Sequence, residues 1–126
     1  MATIEITTEG SLLIASVTGN ITADELIAVV LEYYPTVTIK DVIWDLTKGS
    51  LKSISPEGFK AIAQITKLVV AGGSRRGGKT AFVGSVDCEY ALSRMYKVIA
   101  EVTGVPIKYN VFKTIYEARN WLGQEG

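Results

Sequence analysis

Asp41-Val-Ile-Trp-Asp-Leu46, the connection Thr47-Lys-Gly-Ser-Leu-Lys-Ser-Ile54 and the start Ser55-Pro-Glu57 form the stretch from which the architecture can be read. The unbroken Val-Ile-Trp run is what a strand covered on both faces needs, and such strands belong to parallel sheets flanked by helices. Ser55 is a good helix cap, and Pro56 suits the first helical position, where its missing N–H leaves no bond unmade. Phe59, Ile62, Ala63, Thr66 and Val70 then recur at helical spacing and predict a core-facing stripe on a helix over about residues 56–71. A doubly buried strand leading into an amphipathic helix is half of a β–α–β unit.

Working outward, Thr22-Ala-Asp-Glu25 has the pattern of a capping box, so a helix is expected from about Ala23 to Tyr34, ending before Pro35. Before it, residues 3–7 alternate Ile with polar residues, Glu9-Gly10 makes a turn, and residues 11–18 read as a more buried strand. So short a link joins antiparallel neighbours. Downstream, Gly72-Gly73 ends the second helix and Ala81–Val86 is a strand. Asp87 is the expected cap of a helix with the stripe Ala91, Leu92, Met95, Ile99 and Val102, closed by Gly104. Residues 107–112 form a last strand, and Thr114-Ile-Tyr-Glu117 caps a short helix lined by Ile115, Ala118 and Leu122. The order β-β-α-β-α-β-α-β-α predicts an α/β fold. Its mixed sheet has about five strands, an N-terminal hairpin and a parallel centre, with about four helices, in a single domain over 1–126.

Composition narrows the chemistry. The 126 residues carry thirteen Lys+Arg against thirteen Asp+Glu, no histidine and one cysteine. Zero net charge gives no electrostatic case for nucleic acid or an anionic membrane. Without histidine there is no Ser-His-Asp or Cys-His triad and no histidine metal ligand, and one cysteine makes no intrachain disulfide. No cofactor and no metal are expected. No apolar run reaches the roughly eighteen residues of a membrane span. The first residues lack the basic and apolar regions of a signal peptide, so a cytoplasmic location is expected.

Gly73-Ser-Arg-Arg-Gly-Gly-Lys-Thr80 matches the spacing of a nucleotide-binding P-loop. In a working P-loop a strand precedes the glycines and a helix follows, so amides and dipole converge on phosphate. Here a helix precedes and a strand follows. A nucleotide-using enzyme through Gly73–Thr80 is therefore the weakest reading. The basic loop (Arg75, Arg76, Lys79) either joins helix to strand or touches an anionic ligand or partner.

Other candidates lie elsewhere. Thr47, Ser50, Ser53 and Ser55 with Lys48 and Lys52 follow the central strand; Ser53, Ser55 and Lys48 form a candidate phosphorylation or anion site near a helix N-terminus. Cys88 sits at a helix start but is flanked by Asp87 and Glu89, which disfavour a thiolate, so an inert, partly buried thiol is expected. Asp45 has no evident carboxylate partner. Leu26-Ile-Ala-Val-Val-Leu31 is apolar nearly all round, which predicts a homodimer contact or an apolar-ligand cavity at Leu26, Ile27, Val30, Leu31 and Tyr34.

Two stretches carry a resemblance. The strand Val42-Ile-Trp-Asp-Leu-Thr47 running through a serine-containing loop into a helix, and the ending Val111-Phe-Lys-Thr-Ile-Tyr-Glu-Ala-Arg-Asn-Trp-Leu122, resemble the SpoIIAA-like group of small bacterial proteins related to STAS domains. The resemblance implies a non-enzymatic regulatory or protein-interaction module. It also implies a regulatory serine in an Asp-Ser pair at the helix after the central strand. The matching stretch here is Ser53-Ile-Ser-Pro56, in which Ser55 is the nearest hydroxyl and the preceding Asp is absent. A SEC14-type kinship of the group implies an apolar pocket, so a carrier or sensor of a small apolar, lipid-like or anionic ligand is the alternative. The expected partners are a second copy, another protein or such a ligand.

Overall fold

In the computed structural model, which describes residues 2–36, 38–71 and 77–123, the doubly buried run is the middle strand of the sheet. Along the chain the elements are β1 (Thr3–Glu9), β2 (Leu12–Asn20), α1 (Ala23–Tyr33), β3 (Asp41–Ser50), α2 (Pro56–Val70), β4 (Lys79–Val83), α3 (Asp87–Thr103), β5 (Lys108–Phe112) and α4 (Ile115–Gly123). The strands lie side by side in that same order. β1 is antiparallel to β2, and every later pair is parallel. The α/β fold with a hairpin and a parallel centre is thus as expected.

Strand order equal to chain order has a direct consequence. Crossovers between parallel strands are right-handed as a rule, so connections that all step the same way put α1, α2 and α3 on one face of the sheet. That face holds the main core, including Leu13, Ala15, Val17, Trp44, Phe59, Ile62 and Phe82. Rings of Phe59, Phe82, Tyr96 and Tyr109 meet there with centroids 5.5 to 6.2 Å apart. Trp44 Nε1 donates to the Tyr34 hydroxyl at 3.1 Å. The alternate residues Ile14, Ile43, Ala81 and Val83 point to the other face, where α4 covers them through Ala118 and Leu122.

Local chemistry sets the boundaries. The Thr22 hydroxyl accepts from the Glu25 amide and the Glu25 carboxylate from the Thr22 amide, so the first capping box is present. Gly104, at φ 87, ends α3 in the left-handed region as its position predicted. α2 buries the five residues named from the sequence.

Four expectations need correction. β4 ends at Val83 and not at Val86. β3 does not stop at Leu46 but runs to Ser50, because Thr18, Gly19 and Asn20 of β2 pair with Lys48, Gly49 and Ser50. Between Ser16↔Asp45 and Thr18↔Lys48, β3 places Leu46 and Thr47 against Val17 alone, a bulge of a kind uncommon in parallel pairs. Asp87 is not a cap: Val86 holds that position without a side-chain bond, and Asp87 accepts from Lys113 Nζ at 3.0 Å. The inner face of α3 is Glu89, Ser93, Tyr96 and Ala100, whereas Val102 is 83% exposed and Ala91 and Met95 also face outward. Glu89 buries because its carboxylate finds donors, and Tyr96 because it joins the ring cluster; together they outweigh the aliphatic stripe.

Candidate functional site

β3 emerges from the sheet at its carboxyl edge, the side on which α/β proteins place ligands and interacting loops. Gly84 lies just past β4 at the same edge. A Cβ there would stand 2.9 Å from Glu89 Cβ and 3.1 Å from the Glu89 carbonyl carbon, so only glycine lets the first turn of α3 approach this closely. That approach brings Glu89, 5% exposed, beneath the connection between β3 and α2. Its Oε1 accepts from Ser50 Oγ at 2.6 Å, and its Oε2 accepts from the Leu51 amide at 2.9 Å. Ser50 Oγ accepts in turn from the Lys52 amide at 3.1 Å. Leu51 and Ile54 are buried anchors, and the Ile54 amide donates to the Leu51 carbonyl at 3.0 Å.

At the far end of the connection, Ser55 Oγ accepts from the Gly58 amide at 3.0 Å and caps α2 as predicted. The segment is therefore pinned at both ends. Lys52 and Ser53 between them are exposed. Of the two candidate serines, the Ser55 oxygen is engaged in the cap, while Ser53 presents its side chain to solvent. Lys48 lies elsewhere, on the strand itself opposite Thr18.

Glu89 is the residue that sequence reasoning missed, since it was read only as a neighbour of Cys88. A signal was there: Glu89, Ser93, Tyr96 and Ala100 have helical spacing, but two polar members hid the face.

A second feature lies on the sheet face that α4 leaves open. The register sets Glu5, Ser16 and Asp45 in one row across β1, β2 and β3, with Thr3, Thr18 and Lys48 in the next. They line a shallow concavity of about 270 Å³ together with Thr47. Asp45 Oδ1 accepts from the Thr47 amide at 3.0 Å and from its hydroxyl at 2.7 Å, which fixes the bulge. Asp45 is thus mid-strand, not at a strand end, and Glu5 is the second carboxylate on its face. Two carboxylates, hydroxyls and Lys48 make this a polar surface of mixed charge, which does not suit an apolar ligand.

The remaining candidates have structural surroundings. Leu26, Val30 and Tyr34 face the sheet and are 5%, 1% and 3% exposed, so the protein's own core takes the surface assigned to them; Ile27 is half-buried, and Leu31 is exposed. Lys79 and Thr80 enter β4, as their place after a helix implied. Lys79 Nζ lies 5.0 Å from the Trp121 ring and its amide donates to Asp41 Oδ1 at 2.9 Å, ties that fasten α4 and β3. Arg75 and Arg76, with the rest of Gly73–Arg76, lie outside the described residues. Cys88 is exposed, contrary to the partly buried thiol expected, because its position on the first turn of α3 faces away from the sheet. Among the described residues no helix is long and apolar enough to cross a membrane.

A search of solved structures places this geometry. The chain is similar to an uncharacterized protein of the DUF3478 family with a SpoIIAA-like fold, from Shewanella loihica PV-4. The match has a TM-score of 0.55 at 16% identity and covers 96% of this chain and 93% of that one. The fold is SpoIIAA-like. Comparison with protein-family models and with curated proteins found no match. In this SpoIIAA-like fold the pinned connection occupies the stretch, Ser53–Pro56, that the sequence resemblance singled out.

Proposed function

We propose that the protein is a non-enzymatic binding module that presents the connection between β3 and α2 to a protein partner, with Ser53 as the residue whose phosphorylation changes that contact. The observation that carries this reading is the pair of hydrogen bonds from Ser50 and Leu51 to the buried Glu89 carboxylate. A loop held this way loses little conformational entropy on binding, and loops set on rigid scaffolds are where recognition concentrates. A phosphate on Ser53 would lie beside Lys52 and close to the N-terminus of α2, both of which favour negative charge.

Intact-mass analysis of protein purified from its own host tests the proposal. A fraction heavier by one phosphate, absent from Ser53→Ala but retained in Ser55→Ala, is the expected result. An unmodified mass under every growth condition tried opposes it.

A further inference from the structure

The two edges of the sheet are finished differently. β5 is five residues long, carries exposed Lys108, and has the Val111 amide taken by the Asn110 side chain at 2.9 Å. Short length, lysine and side-chain capping are devices by which natural sheets discourage edge pairing. β1 is guarded less: its charges are the two glutamates Glu5 and Glu9. It is seven residues long, pairs only with β2 among the described residues, and contains no proline, lysine or bulge. An edge of that kind is a template for another strand.

We propose that this edge is where two copies of the chain pair, β1 against β1, antiparallel, joining their sheets into one. The charge pattern of Thr3-Ile-Glu-Ile-Thr-Thr-Glu9 selects both the occupant and the register. Antiparallel pairing keeps side chains on the proper face only if the two residue numbers sum to an even value. Centring the pair on Glu5 sets Glu5 against Glu5; centring it on Thr7 sets Glu5 against Glu9, whose charge Arg119 partly offsets, but leaves Thr3 and Ile4 unpaired. Like charges directly opposite one another are unfavourable. Centring on Ile6 pairs all seven residues: Ile6 with Ile6, Glu5 with Thr7, Ile4 with Thr8 and Thr3 with Glu9. Every carboxylate then faces a hydroxyl, and the half-buried Ile4 and Ile6 extend the main core toward the partner. The strand is complementary to itself in this one full-length register. Because Thr3 and Glu5 line the concavity on the open face, the partner's Thr7 and Glu9 would form its missing wall.

Sedimentation equilibrium of the full chain tests the interface. The wild type is expected to show a concentration-dependent dimer. Thr7→Glu, at an exposed position, sets a glutamate against the partner's Glu5 twice per dimer; it should weaken association roughly tenfold at low salt and less at high salt. Adding Glu5→Lys to Thr7→Glu turns both repulsions into attractions and should restore the dimer. A chain that stays monomeric at about millimolar concentration, a dimer indifferent to Thr7→Glu, or a double variant that fails to recover would each overturn the proposal. So would a dimer that Leu31→Glu or Val102→Glu dissolves while Thr7→Glu leaves it intact, since that places the contact on the helical layer.

Discussion

Glu89 shows how one buried charge can determine the shape of a surface. Its carboxylate is tolerated because a hydroxyl and an amide donate to it, and those same donors are thereby fixed. Glu89→Ala removes both acceptors at once and is expected to destabilise the protein by about 2–3 kcal/mol, measured by urea unfolding. Amide exchange should rise first over residues 50–54. If protection there is unchanged, the carboxylate does not hold the connection. A similar logic governs Tyr34: Tyr34→Phe leaves the buried Trp44 Nε1 without its acceptor, at a cost of roughly 1–3 kcal/mol. Tyr96 belongs to the same core, where burial pushes its phenol well above the ordinary value, so it stays neutral and serves as a hydrogen-bonding group with Tyr109 and Thr66.

At the scale of elements, the sequence was most readable where backbone chemistry is local. The Thr22-to-Glu25 box, Ser55-Pro56 and Gly104 each name a terminus without reference to the rest of the chain. It was least readable where an element borrows from distant residues. The last residues of β3 are a strand only because β2 lies beside them beyond the bulge. α3 turns inward on Glu89 only because Ser50 and Leu51, nearly forty positions earlier, supply donors. α4 offers a pH test of a tertiary contact. Arg119 binds Glu9 through two hydrogen bonds of 2.9 and 3.0 Å, and this bonding holds the Glu9 carboxyl below its ordinary value of 4.5. A lowered native value means the contribution is complete above the ordinary one and is lost as the pH falls through the native one. The Glu9 carboxyl resonance should therefore titrate below that of an unstructured glutamate, and Arg119→Gln should return it. An unshifted titration in the native protein would show that the pair does not persist in solution.

On the scale of the whole molecule, the face not covered by α1, α2 and α3 divides sharply. Leu12, Ile14, Ile43, Ala81 and Val83 lie where α4 covers it, and Glu5, Ser16, Thr18 and Asp45 lie where it is open. The alternation within each strand carried that division, although no single strand announced it. Strand order equal to chain order also bears on how the molecule is made. Each β–α unit docks against the one synthesised just before it, so the sheet can extend stepwise from the hairpin without a distant partner. α4 is the exception, since it must wait for β5 and then cross to the far side. Until it arrives, Ile14, Ile43, Ala81 and Val83 are a bare apolar strip, and a chain halted before residue 115 would be an aggregation-prone species, its first three helices already seated.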